Sequence, residues 1–226
     1  MTEAEWERGR NPRELGRAGV SLAPSHCKAR LLAIRYLEYV REIGRYPIDA
    51  KALAVAVQVA DGLVEDSVRA TAYHSYVDNS LSERINADHS YVDDTDPIVY
   101  ETRSLHHAVL NWSGIQAGLK VLYEICQPLK SRRKMHKADE KPLCSFVRDI
   151  FGNPFRPVVF SPEWRTSTAV AIANSMYESR DFGPMPLLAD ALQDAGCDET
   201  DIIDHCRGSG PHCRGCWVVD GVLGKA

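Results

Sequence analysis

Between His205 and Cys216, twelve positions hold three of the chain's seven cysteines and two of its eight histidines. Three glycines and a proline break up this run, His205-Cys206-Arg207-Gly208-Ser209-Gly210-Pro211-His212-Cys213-Arg214-Gly215-Cys216. Thiolate sulfur and imidazole nitrogen are ligands that zinc takes in a tetrahedron, and a glycine-rich loop can fold them about one point. Cys213 and Cys216 have the two-residue gap of a zinc knuckle, and His205 or Cys206 with His212 would complete the set. There is one Cys-x-x-Cys pair, where a zinc ribbon has two. On a helix His205 and Cys206 point about 100° apart, so one of them faces away. Cys197 adds little, because nine helical residues carry it about 13 Å from Cys206.

Other chemistry fits the same residues. Arg207 and Arg214 flank a glycine-rich loop leading into a last helix, an arrangement that can bind an anion, although the Gly-Lys-Ser/Thr of a P-loop is missing. A cysteine nucleophile with His205 or His212 as base lacks a third, orienting group. The favoured reading is structural. Gly208 supplies a left-handed cap, Gly210-Pro211 turns the chain, and Gly215 lets Cys216 and Trp217 dock into a core.

Helical periodicity must position this loop. From Ser25, a plausible N-cap, Ala33, Tyr36, Leu37, Val40 and Ile43 recur at three- and four-residue spacing, and Gly44 stops the pattern. Asp49 caps a second segment with Leu53, Val57 and Ala60 on one face, ending near Gly62. The most regular pattern runs from Thr102 to Cys126 and stops before Pro128. A short helix over about Pro142 to Phe151 precedes an extended Gly152-Asn-Pro-Phe-Arg-Pro157. Further helices begin near Thr166 and Pro186, the second closed by Gly196. Asp198 to Asp201 resembles a capping box for a helix ending at Gly208, and Trp217 to Leu223 makes a last apolar turn or two. No strand pattern of useful length occurs, so the fold class is all-α.

Residues 74–79 (His-Ser-Tyr-Val-Asp-Asn) are echoed at 89–94, a local duplication too short for a solenoid. The acidic tip at 93–96 lacks the glycine and distal glutamate of a calcium loop. Five Lys/Arg fall in the eight residues 130–137, read as an exposed linker. The organisation expected is an N-terminal helical region (1–129), a basic linker (130–141) and a C-terminal helical module (142–226).

Composition narrows the class. A hydrophobic content of 44%, a charged content of 26% and a net charge of −4 describe a soluble globular chain, and argue against a nucleic-acid or membrane surface. No apolar run approaches the roughly 20 residues that span a bilayer, and the N-terminus has no apolar signal core. An odd cysteine count in a chain of this size points to a reducing, cytoplasmic compartment, with Cys27 and Cys126 expected in the core.

Several segments resemble a known group. These are the N-terminal Met1-Thr-Glu-Ala-Glu-Trp6, the Arg-Leu-Leu-Ala-Ile helix and Ala56-Val-Gln-Val-Ala-Asp-Gly62. More specific are Arg148-Asp-Ile-Phe-Gly-Asn-Pro-Phe-Arg-Pro157, Leu187-Leu-Ala-Asp-Ala-Leu192 with Ala195-Gly-Cys197, and the block from His205 to Asp220. Together they resemble a large family of uncharacterised planctomycete bacterial proteins, over about half the chain. The resemblance implies a bacterial cytosolic protein and carries over no activity, cofactor or catalytic residue. The chain departs from the family at its middle, where an alanine-rich stretch is usual. It departs again at Cys213, where an apolar residue is expected, which weakens any metal site that needs Cys213.

The function expected is therefore a non-enzymatic scaffold or protein-interaction module with an unidentified protein partner. The alternative is a zinc-binding module drawing on His205, Cys206, His212, Cys213 and Cys216. No other cofactor is expected.

Overall fold

The computed structural model describes residues 1–22, 25–42, 53–54, 57–58 and 137–225. Eight α-helices can be followed among them, with no strand: α1 (Glu3–Arg8), α2 (Pro12–Leu22), α3 (His26–Glu42), α4 (Lys137–Phe151), α5 (Ser167–Ser179), α6 (Met185–Asp194), α7 (Thr200–Arg207) and α8 (Trp217–Leu223). A 3-10 turn, Pro162–Trp164, precedes α5. The fold is helical, as the periodicity requires. The 102–126 helix, the duplicated segments at 74–79 and 89–94, the acidic tip and basic residues 130–136 lie outside the described residues. So does most of the 49–62 segment, although its Leu53 and Val57 are buried.

Local chemistry starts each helix. The Thr2 hydroxyl accepts the Glu5 N–H at 3.3 Å while the Glu5 carboxylate accepts the Thr2 N–H at 2.7 Å, a complete capping box. Asn11 Oδ1 accepts the Glu14 N–H ahead of α2, whose first residue is Pro12, where a missing N–H costs nothing. Ser25 Oγ accepts the Lys28 N–H and caps α3.

Two apolar cores form among the described residues. The first joins Trp6, Leu15 and Val20 with the α3 residues Leu31, Leu32 and Ile34, and with Phe146, Val147 and Ile150 of α4. Burying each of these large side chains contributes about 1.5–3 kcal/mol. The second is built by α5 to α8, through Ala173, Met176, Leu188, Leu192, Ile202, Cys206 and Val219. Arg148 anchors the end of α4 by donating to the Trp6 carbonyl at 2.8 and 3.0 Å and to the Gly9 carbonyl at 2.6 Å.

Four local expectations need correction. Helix α4 begins at Lys137, inside the segment read as linker, and Pro142 lies within it. Pro142 is the sixth residue of the helix, past the four whose N–H groups have no helical partner, so it forfeits the bond to the Ala138 carbonyl. The Asp198–Asp201 capping box does not form; α7 starts at Thr200 after Glu199, with no side-chain cap. Gly208 is extended (φ −62°, ψ 156°), and the left-handed position is Gly210 (φ +74°). Cys27 is exposed, because it stands on the first turn of α3, ahead of the first buried position at Ala29.

Candidate metal centre

Helix α4 carries an acidic residue on its inward side. Asp149 is 3% exposed and sits among Phe146, Val147, Ile150 and Phe151. A buried carboxylate near a helix C-terminus is doubly disfavoured, by desolvation and by the helix dipole, so it must find partners. It finds them in the His205–Cys216 loop.

His205 lies on α7 with its Nε2 3.1 Å from Asp149 Oδ1. Its neighbour Cys206, about 100° around the helix, is fully buried in the second core instead. The 208–211 segment, with Gly210 at φ +74°, then leads to His212, whose Nδ1 lies 2.9 Å from the same Oδ1. The other His212 nitrogen, Nε2, is 3.4 Å from the Gly208 carbonyl. Cys213 addresses the second carboxylate oxygen: its N–H donates to Oδ2 at 2.9 Å and its thiol at 3.2 Å.

Gly215 makes the next turn possible. Its φ of +91° suits glycine, and a Cβ there would stand 2.9 Å from Leu31 Cδ1. The turn closes with the Cys216 N–H on the Cys213 carbonyl at 2.9 Å and sets Cys216 Sγ 3.2 Å from His205 Nε2.

Four donor atoms, from Asp149, His205, His212 and Cys216, thus lie within 4.8 Å of one another. Metal–ligand bonds of about 2.0–2.3 Å give a tetrahedron edges of about 3.3–3.8 Å. Three of the six separations, 3.1, 2.9 and 3.2 Å, fall a little short of that edge, and all six lie within 4.8 Å. The described residues therefore contain a group able to hold a metal ion.

The buried Asp149 charge dominates the electrostatics of the site. Burial alone would raise the Asp149 carboxyl, but hydrogen bonds from His205 and His212 outweigh it and hold the group at about 2. Burial lowers His212, and the Asp149 carboxylate more than reverses this, leaving it raised. Cys213 and Cys216 are pushed well above the ordinary thiol range by burial and then by the Asp149 charge. Burial likewise carries Cys206 up to about 12. None of these thiols has the lowered pKa of an activated nucleophile.

Of the five sequence-predicted ligands, His205, His212 and Cys216 come together, Cys213 binds the carboxylate beside them, and Cys206 belongs to the core. The two arginines are occupied with other elements. Arg207 pairs with Asp190 at 2.7 Å and Arg214 lies 4.3 Å over the Tyr177 ring. Helix α8 has only seven residues, too short for an N-terminal anion site of any strength. Asp149 was not foreseen. Its signal was an aspartate within the apolar row Leu143, Phe146, Val147 and Ile150, where a charge must be paired or liganded.

Comparison with protein-family models, with curated proteins and with solved structures finds no match. Among the described residues no helix is long and apolar enough to cross a membrane.

Proposed function

We propose that this chain is a metal-pinned helical scaffold, with zinc held by Asp149, His205, His212 and Cys216. The observation that carries this is the convergence of one carboxylate oxygen, two imidazole nitrogens and one sulfur from two distant parts of the sequence. A mixed nitrogen, sulfur and oxygen set of four suits zinc and disfavours magnesium or calcium, which take oxygen ligands. Four protein ligands leave no open coordination position, which favours an architectural over a catalytic role. His212 has the backing expected of a metal-bound imidazole: its remaining nitrogen faces a backbone carbonyl that can fix the tautomer.

The test is elemental analysis of protein purified without a histidine tag. About one zinc per chain is expected, lost in both Cys216→Ser and His212→Ala. Chelator-treated protein that takes up no zinc on titration would overturn the proposal.

A further inference from the structure

A cleft of about 570 Å³ opens beside the donor cluster, bounded by α1, the 152–160 segment and helices α7 and α8, with His205 on the shared wall. Two opposite charges line it without meeting. Asp220 of α8 is 4% exposed, and its Oδ1 has no hydrogen-bond partner. Lys28 of α3 is half-buried and exerts the largest opposing field on that carboxylate, yet the two form no ion pair.

The other cations lining the cleft are engaged. Arg148 donates to the Trp6 and Gly9 carbonyls, Arg156 pairs with Glu7 and Asp201, and the Lys225 ammonium lies 3.5 Å over the Tyr177 ring. Among the described residues, Lys28 is the cleft cation whose ammonium makes neither hydrogen bond nor ion pair. A buried acceptor without a donor is costly, and a charged donor satisfies a carboxylate best.

A ligand that bridges these groups needs a cationic donor at one end and an anion at the other. The aromatic rings of Phe160 and Trp217, 6.2 Å apart and crossed at 71°, give the same cleft an apolar lining. The volume is that of a small-molecule site. We propose that the cleft binds a free α-amino acid, its ammonium on Asp220, its carboxylate on Lys28 and its side chain against Trp217 and Phe160. The site uses none of the four metal donors as anchors, so a chain found to bind no metal would leave this proposal standing.

The experiment is calorimetric titration of the full chain, as purified, with each of the twenty amino acids at millimolar concentration. Saturable binding of one or a few is expected. The N-acetylated and the amidated forms of the best ligand should each lose it, since each lacks one of the two charges. Lys28→Ala and Asp220→Asn should each weaken binding by at least about tenfold, as for a lost charge-assisted hydrogen bond. Circular dichroism checks that both variants fold. Failure of every amino acid to bind would overturn the proposal, as would N-acetylated ligand binding like the parent.

Discussion

Replacing Asp149 by asparagine separates metal coordination from mere packing. The side chain keeps its shape in a position that is 3% exposed. Its amide oxygen can still accept the Cys213 N–H, which now sits 2.9 Å from Oδ2. The amide NH₂ would turn toward the two imidazoles, and a neutral imidazole offers a lone pair to accept it. The fold therefore survives, but a donor stands where a metal needs an anionic oxygen. Losing an outer partner of a metal ligand weakens binding by about 10–100-fold, so losing a ligand itself should cost at least about 100-fold, or about 2.7 kcal/mol. In excess zinc that difference appears in full as stability. A chain of 226 residues shifts its Tm by about 2–4 °C per kcal/mol, so the zinc-dependent rise should shrink by about 5–11 °C. Thermal melts in zinc and in chelator, for both proteins, give the two increments. Equal increments for the parent and Asp149→Asn would refute the coordination geometry.

Cys206→Ala should lower stability by about 1–2 kcal/mol through a small cavity in the second core and leave zinc content unchanged, checked by denaturation and elemental analysis. Gly215→Ala combines a φ of +91° with a Cβ 2.9 Å from Leu31 Cδ1, and urea titration should find it less stable by about 1–3 kcal/mol. Asp220 is raised from 3.8 to about 6, chiefly by burial. A raised carboxyl favours the fold below its unfolded pKa, and that benefit fades as pH climbs from about 4 through 6, by about 3 kcal/mol in all. Asp220→Asn should therefore melt higher than the parent at about pH 7.5 and nearly level with it at about pH 4. An offset that does not change with pH would contradict the buried-carboxyl account.

Helix positions were legible wherever the apolar spacing was clean. The Ser25 cap follows from a local rule that the structure obeys, and the helices expected near Thr166 and Pro186 form as α5 and α6. The opening helices were less visible: α1 has six residues and buries Trp6 alone. Caps failed where tertiary geometry decided. Gly208 was assigned the left-handed turn because it follows the last helical residue, but closing His212 back onto Asp149 needs the turn two residues later, at Gly210. The ligand loop was readable as a pool of soft donors, and its phase on α7 already told that His205 and Cys206 diverge. Asp149 was harder. It precedes His205 by fifty-six positions, and nothing local connects them. A buried charge announces that it has a partner, not which one.

The position of the donor cluster says why it would matter to the fold. Asp149 belongs to the helix at the centre of the first core, while Cys216 is packed in the second, and Cys213, three residues earlier, is packed in the first. The loop therefore straddles the joint. At the surface the joint is bridged by Arg156, which pairs with Glu3 and Glu7 on α1 and with Asp201 on α7. That arginine is 51% exposed, so each of its pairs contributes about 0–1 kcal/mol. The buried carboxylate is different, because breaking its contacts strands a charge at about 3–5 kcal/mol. Protons on the imidazoles can balance that charge; a divalent ion would do so while also tying three segments to one point. The cores of the metal-loaded chain should then unfold in one calorimetric transition. Stripping the metal should loosen the link between α4 and the His205–Cys216 loop first, leaving it to the Asp149 hydrogen bonds with His212 and Cys213.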